Sequence, residues 1–371
     1  MVHGVKKEKA GRGQKGKCKA AGGLRESITG IRRAHGTDGP LVATFMPPFR
    51  PRPQKPESRA GAVPENPFGR RPDLASRDRL RAVLKRFGLR ADERFGQRFL
   101  ADERALREIA HATGAAPDSR LVEIGAGIGN LTTMLLLSGA EVIGLEIDKR
   151  FLEIQREIVA GSADFLQRHR LVPGDALEFD FRTAAEQAVA DGRRFLIAGN
   201  IPYNITGPLI MRVLETETPF ETMTFLVQLE VAERLAAEPG SRLTSAFSVK
   251  VRHWCDVEYL FAVPSFAFLP EPRVHSAVIR FRRREGVSTT RPAWFSLVDA
   301  AFGQRRKTIP NALAAAGLPH NRARIEQGLE SIGHSSTTRA EQLTPADYAA
   351  LAAALESHPS PPAPAGSPIG S

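Results

Sequence analysis

The chain has 371 residues, 42% hydrophobic and 25% charged, with two cysteines and no run near the ~20 apolar residues that span a bilayer. These values argue against a membrane-spanning helix, a disulfide scaffold and a cysteine-built metal site, and suit one large or two modest domains. The net charge of +11 belongs to one end: residues 1–71 carry 16 of the 52 Lys and Arg but only 5 of the 41 Asp and Glu, leaving 36 of each sign in 72–371.

Residues 1–71 are rich in Gly, Lys, Arg and Pro and lack apolar periodicity, so they are expected to be disordered. They read either as a basic arm adding affinity for phosphates or as extraneous sequence ahead of a start at Met46. The first lysines are not followed by an apolar segment, so no signal peptide is expected and the expected setting is the cytoplasm. Residues 358–371 are expected to form a second disordered tail.

Between the tails, Leu80, Val83, Leu84 and Phe87 recur at helical spacing and predict a helix over 74–87, followed by another over 101–113. A strand at 120–124, a Gly-rich turn at 125–129 and a helix over 131–138 come next. Strands are then predicted at 141–146, 170–172, 195–198 and 223–228, with helices over 149–159 and 206–214 among them. This alternation predicts an α/β fold with a largely parallel, doubly wound sheet. Segments 257–263 and 275–281 read as strands joined by a Pro-rich loop, suited to an antiparallel edge pair. After a break at 285–292 the chain reads as helix to 357, as a small helical domain. The expected division is therefore 72–285 and 286–357.

Three short segments carry chemistry. In Glu123-Ile124-Gly125-Ala126-Gly127-Ile128-Gly129, glycines let the backbone turn tightly at a strand end and approach a nucleotide. Glu146 ends the next strand, where a carboxylate accepts both hydroxyls of a ribose. A nicotinamide dehydrogenase shares that plan, but its fingerprint needs glycine at 130, where Asn130 stands. Asp148 reads as a helix N-cap. Asp175, in Gly174-Asp175-Ala176, reads equally well as an acceptor for an adenine amine or as a cap.

The third segment, Asn200-Ile201-Pro202-Tyr203, follows the fourth strand at the sheet edge where ligands of open α/β proteins bind. An amine on an aromatic ring has a delocalised, poorly nucleophilic lone pair. The Asn200 side-chain carbonyl and a main-chain carbonyl, best supplied by Pro202, can accept its two hydrogens and turn the lone pair toward a methyl donor. Tyr203 would stack on the base, and no strong general base is required. The pattern points to S-adenosylmethionine-dependent methylation of an exocyclic amine.

With these segments in place, the chain resembles the ribosomal RNA adenine dimethyltransferases, above all the bacterial small-subunit KsgA type, from about Phe95 to Leu355. The further matches are Phe95-Gly96-Gln97-Arg98-Phe99-Leu100, Gln228-Leu229-Glu230-Val231-Ala232-Glu233-Arg234-Leu235, Ala267-Phe268-Leu269-Pro270-Glu271-Pro272-Arg273-Val274 and Gln304-Arg305-Arg306-Lys307-Thr308. The resemblance implies a Rossmann-like class I methyltransferase with a mostly parallel seven-stranded sheet and a helical C-terminal domain. It implies cofactor contacts from Gln97, Arg98, Leu100, Gly125, Gly127, Glu146, Asp175, Ala176 and Asn200. It also implies that Phe268 joins Tyr203 in sandwiching a flipped adenine, and that Arg305, Arg306 and Lys307 contact RNA. The implied reaction is dimethylation of two adjacent adenosines in the 3′-terminal hairpin of small-subunit rRNA, within an assembling 30S particle, by a monomer that uses no metal. Arg98 replaces the family's usual Asn or His, and 241–244 lacks its usual tyrosine-glycine. A second basic cluster, Arg280, Arg282, Arg283 and Arg284, reads as a solvated face.

Overall fold

The computed structural model describes residues 77–90, 97–160, 162–288 and 290–357. Both expected tails, the first residues of the predicted 74–87 helix and the Phe95-Gly96 pair lie outside the described residues.

The central sheet has seven strands: β2 (Ser119–Ile124), β3 (Glu141–Glu146), β4 (His169–Pro173), β5 (Arg194–Asn200), β6 (Thr222–Gln228), β7 (Cys255–Val263) and β9 (Ser276–Arg283). Their order across the sheet is β4-β3-β2-β5-β6-β9-β7. The first five are mutually parallel, and β9 runs antiparallel to both β6 and β7. The fold class expected from the sequence, including the antiparallel edge pair, is the one observed. A smaller sheet pairs β1 (Phe99–Leu100) with β8 (Phe268–Leu269).

Helices cover both faces, because the strands are apolar on both sides. β6, with six consecutive buried residues, shows the pattern of a strand that never meets water. One face packs α6 (Phe181–Ala190), α7 (Thr206–Glu215) and α8 (Leu229–Ala236) against Val122, Ile197, Phe225 and Ile279. The other packs α2 (Glu103–Thr113) and α3 (Asn130–Leu137) against Leu121, Leu196, Leu226 and Val278. α1 (Arg77–Arg86) closes a small satellite core with Phe99, Ile128 and Phe151, the last from α4 (Lys149–Ala160). α5 (Ala163–Arg168) leads into β4. Beyond β9, α10 (Phe295–Gly303), α11 (Ile309–Ala315), α12 (Arg322–Ser331) and α13 (Pro345–Glu356) enclose a core of their own around Val298, Leu313, Leu329 and Tyr348. Val249 of α9 (Ala246–Trp254) belongs to that core.

The strand order reverses direction between β2 and β5. In an open α/β sheet, that switch point is where the loops at the carboxyl ends diverge and leave a crevice.

Candidate active site

The crevice is a cavity of about 250 Å3 over the carboxyl ends of β2, β3 and β5. Gln97, Arg98, Leu100, Gly125, Gly127, Glu146, Asp175, Ala176, Asn200, Pro202 and Tyr203 all line it. Segments more than a hundred residues apart in sequence thus converge on one wall.

The Gly-rich turn is held by its own main chain: the Gly125 and Ala126 amides both donate to the Leu145 carbonyl at 3.0 Å. Gly125 and Gly127 have φ of +69° and +54°, a left-handed region that disfavours side chains. A Cβ on Gly127 would lie 3.6 Å from the Phe99 ring. Asn130, which stands where a dinucleotide fingerprint needs glycine, donates from Nδ2 to the Leu100 carbonyl at 2.6 Å and pins β1 over the turn.

Glu146 is buried, and its carboxylate meets the turn directly. Oε2 accepts from the Gly127 amide at 2.7 Å and Oε1 from the Asp148 amide at 2.8 Å. Burial raises its pKa, and these two amides oppose the rise. Two amide bonds leave lone pairs on both oxygens, enough for a vicinal diol. Deeper in the wall, burial first and nearby Glu146 second push the Glu123 carboxyl up to about 8. Asp175 Oδ1 accepts from the Leu177 amide at 2.8 Å, so one oxygen caps its own turn. Asp148 behaves as expected of a helix start: its carboxylate accepts from the Arg150 amide at 3.0 Å, and the Arg150 side chain and Gln97 hold its pKa down. Gln97 is turned toward it, donating to Asp148 Oδ2 at 2.8 Å.

Asn200 is oriented unambiguously by its partner. Its Nδ2 donates to the Arg98 carbonyl at 2.7 Å, which turns Oδ1 the other way. The expectation for Pro202 needs correction. Its carbonyl already accepts from the Ile205 amide at 3.1 Å and the Thr206 hydroxyl at 3.3 Å, so both lone pairs are used. The Ile201 carbonyl, one residue earlier, accepts no hydrogen bond among the described residues. Tyr203 lines the cavity and its hydroxyl lies 3.1 Å from Ser276 Oγ. Phe268 is the other departure: its ring is wholly buried in the core with Leu100 and Leu106 and is not part of the cavity wall. The β1–β8 pairing, Leu100 opposite Phe268, is what draws it in.

Residues 88–356 match the model of the ribosomal RNA adenine dimethylase family. The chain belongs to that family. Two relatives named ribosomal RNA small subunit methyltransferase A are similar over nearly their whole length. That of Shouchella clausii is 34% identical over 77% of this chain and 96% of its own, and that of an Anaeromyxobacter species 38% over 73% and 95%. Among solved structures, the 23S rRNA methyltransferase ErmE is 27% identical, with a TM-score of 0.55 over 70% of this chain and 99% of its own. A dimethyladenosine transferase from Plasmodium falciparum, 24% identical with a TM-score of 0.56 over 67% of this chain and 93% of its own, shares the fold. The chain is therefore an S-adenosylmethionine-dependent ribosomal RNA adenine dimethyltransferase, which removes the dehydrogenase alternative. The cavity fits that donor: a diol-ready carboxylate, a glycine turn whose left-handed backbone disfavours side chains, and an oriented amide all lie on one wall.

Arg305, Arg306 and Lys307 lie away from this wall, exposed on the turn after α10. Arg305 donates to the Arg242 carbonyl, in a 241–244 segment that folds as a self-bonded turn. By contrast, two of the four arginines of the second basic cluster, Arg280 and Arg284, pair with Glu258 and Asp256 on the neighbouring strand and so serve the sheet edge. Among the described residues, no helix is long and apolar enough to cross a membrane.

The sequence reading passed over Glu123, Ile147 and Ile201 as site residues. Ile147 is an exposed apolar side chain at the mouth, and its signal was its place directly after Glu146.

Proposed function

We propose that the chain dimethylates N6 of two adjacent adenosines in the 3′-terminal hairpin of small-subunit rRNA, within an assembling 30S particle, as a cytoplasmic monomer. The observation that carries this reading is the Asn200 amide, fixed by Arg98 so that Oδ1 is free to accept an amine hydrogen. The names of the relatives, small subunit methyltransferase A, supply the choice of subunit.

In this reading Glu146 holds the ribose hydroxyls of S-adenosylmethionine, Asp175 and Ala176 receive its adenine, and Gln97, Leu100, Gly125 and Gly127 shape the bed beneath it. Arg98 is the one cation lining the cavity among the described residues; its carbonyl serves Asn200 and its Nη1 donates to the Gln97 carbonyl at 3.1 Å, and in this reading its side chain also takes the carboxylate of the methionine end. The bound donor supplies an electrophilic methyl group. Asn200 Oδ1 and the Ile201 carbonyl accept the two hydrogens of the target amine, and Tyr203 stacks on the base. The base must leave its stack to reach this wall. Arg305, Arg306 and Lys307, in the helical domain at 286–357, bind phosphates and position the RNA without reading its sequence.

Mapping methylated adenosines in rRNA from cells lacking the chain tests this. Loss of the two small-subunit modifications, restored by the wild type but not by Asn200→Ala, is expected. Unchanged small-subunit modification, or loss confined to the large subunit, would overturn the assignment. If subunit assembly is restored by Asn200→Ala while methylation is not, binding rather than chemistry is the essential role.

A further inference from the structure

We infer that Ser276 is a positioning residue for Tyr203, its side chain fixing the plane in which the tyrosine ring presents itself to the target base. The inference rests on the stacking role proposed for Tyr203.

The turn that carries Tyr203 is rigid in its main chain. The Ile201 amide donates to the Leu226 carbonyl at 3.1 Å and the Ile205 amide to the Pro202 carbonyl at 3.1 Å, while the Asn200 side chain, through Nδ2, is tied to the Arg98 carbonyl at 2.7 Å. What remains adjustable is the ring itself, through two side-chain torsions. Its far end is held at one point, the hydroxyl, 3.1 Å from Ser276 Oγ.

Ser276 is built to be that point. It is the first residue of β9, has no solvent exposure, and is paired with Gln228 of β6 on one side and Val263 of β7 on the other. The Leu229 amide donates to the carbonyl of the preceding residue, His275, at 3.0 Å, so the strand begins from a fixed position. Ser276 shares a face of β9 with Val278, whose core also contains Leu100 and Phe268. A hydroxyl at the edge of an apolar core is costly unless it is paired, and Tyr203 is the side-chain partner it has.

Ring plane matters most for the second methyl transfer. The monomethylated amine is bulkier and keeps one hydrogen, so a base that rocks on a loose ring misaims its lone pair more often than an unmodified one.

The experiment compares Ser276→Ala, Tyr203→Phe and the double variant on undermethylated small subunits, reading kcat, KM, the ratio of monomethyl to dimethyl product and the Kd for S-adenosylmethionine. Each single variant is expected to lower kcat about five- to tenfold and to accumulate monomethyladenosine, with the Kd changed less than about twofold. The double variant is expected to be no worse than the poorer single one, because both remove the same bond. Wild-type turnover in either single variant, or losses that multiply in the double, would overturn the inference. A loss of cofactor affinity that parallels the loss of turnover would do the same, as it would mean general damage to the wall. If the wild type itself leaves these adenosines unmodified, the failure lies with the proposed function.

Discussion

Two carboxyls of the wall, Glu123 and Glu146, have pKa values raised above the ordinary carboxylate range, chiefly by burial. For such a group the folded chain holds its proton over a pH range where the unfolded chain has lost it, so stability falls as pH rises through that window. Glu123, pushed up to about 8, should therefore cost stability progressively between the ordinary carboxylate range and about pH 8. Glu123→Gln is expected to remove that slope and to stabilise the chain above pH 8 by on the order of 5 kcal/mol, checked by urea unfolding at several pH values. For Glu146, binding a diol requires the ionised form, so cofactor affinity should drop as pH falls through its raised pKa. Glu146→Gln should weaken cofactor binding and flatten that dependence in calorimetry. Phe268 separates two roles in one substitution. Phe268→Leu should cost stability by about 1 kcal/mol with little loss of turnover if the ring only packs against Leu100. A large loss of kcat would instead mean that the ring is uncovered to stack on the base. At this scale the sequence was legible where a residue sits in a motif with a direction, as with Glu146 and Asn200. It was not legible for Pro202 or Phe268, because which carbonyl is free and which ring is covered depend on partners distant in the chain.

The elements were legible in proportion to their contrast. β3 spans the residues that its apolar run predicts, and the antiparallel β7–β9 pair was visible from its Pro-rich connection. α6 left little signal, since its buried stripe is one phenylalanine and three alanines. α9 has no counterpart in the sequence analysis; the signal it carries is its cap, Ser245, whose side chain accepts from the Ser248 amide. β1 and β8 are two residues each and have no periodicity to read. Yet β1 matters: Asn130 and Phe99 fasten it over the glycine turn, which depends on its left-handed residues. Gly127→Ala places a side chain at a φ of +54°, with its Cβ in ordinary contact with Phe99 at 3.6 Å, so the backbone conformation sets the cost. It should destabilise the chain by about 1–2 kcal/mol, as should Gly88→Ala at a φ of +63°, but cofactor binding should weaken only for Gly127→Ala, because Gly88 does not line the cavity.

Across the whole molecule, charge is divided by task. The formal excess lies in residues 1–71, while residues 72–371 are balanced and most of their described surface arginines are spent on neighbouring acids. The exposed turn with Arg305, Arg306 and Lys307 is an exception, and its role follows from location rather than from net charge. Replacing all three by Ala should weaken RNA binding and shallow its dependence on log salt by about 0.7–0.9 per lost phosphate contact, leaving cofactor affinity unchanged. An unchanged salt slope would remove this turn from the RNA interface.

Everything above converges on one reaction, so the most direct measurement is methyl transfer by the purified chain to undermethylated small and large ribosomal subunits, followed by nucleoside mapping of each rRNA. The account predicts dimethyladenosine at two adjacent positions in the 3′-terminal hairpin of the small-subunit RNA, abolished by Asn200→Ala. Transfer to the large subunit alone, or to any group other than an adenine N6 amine, would contradict it.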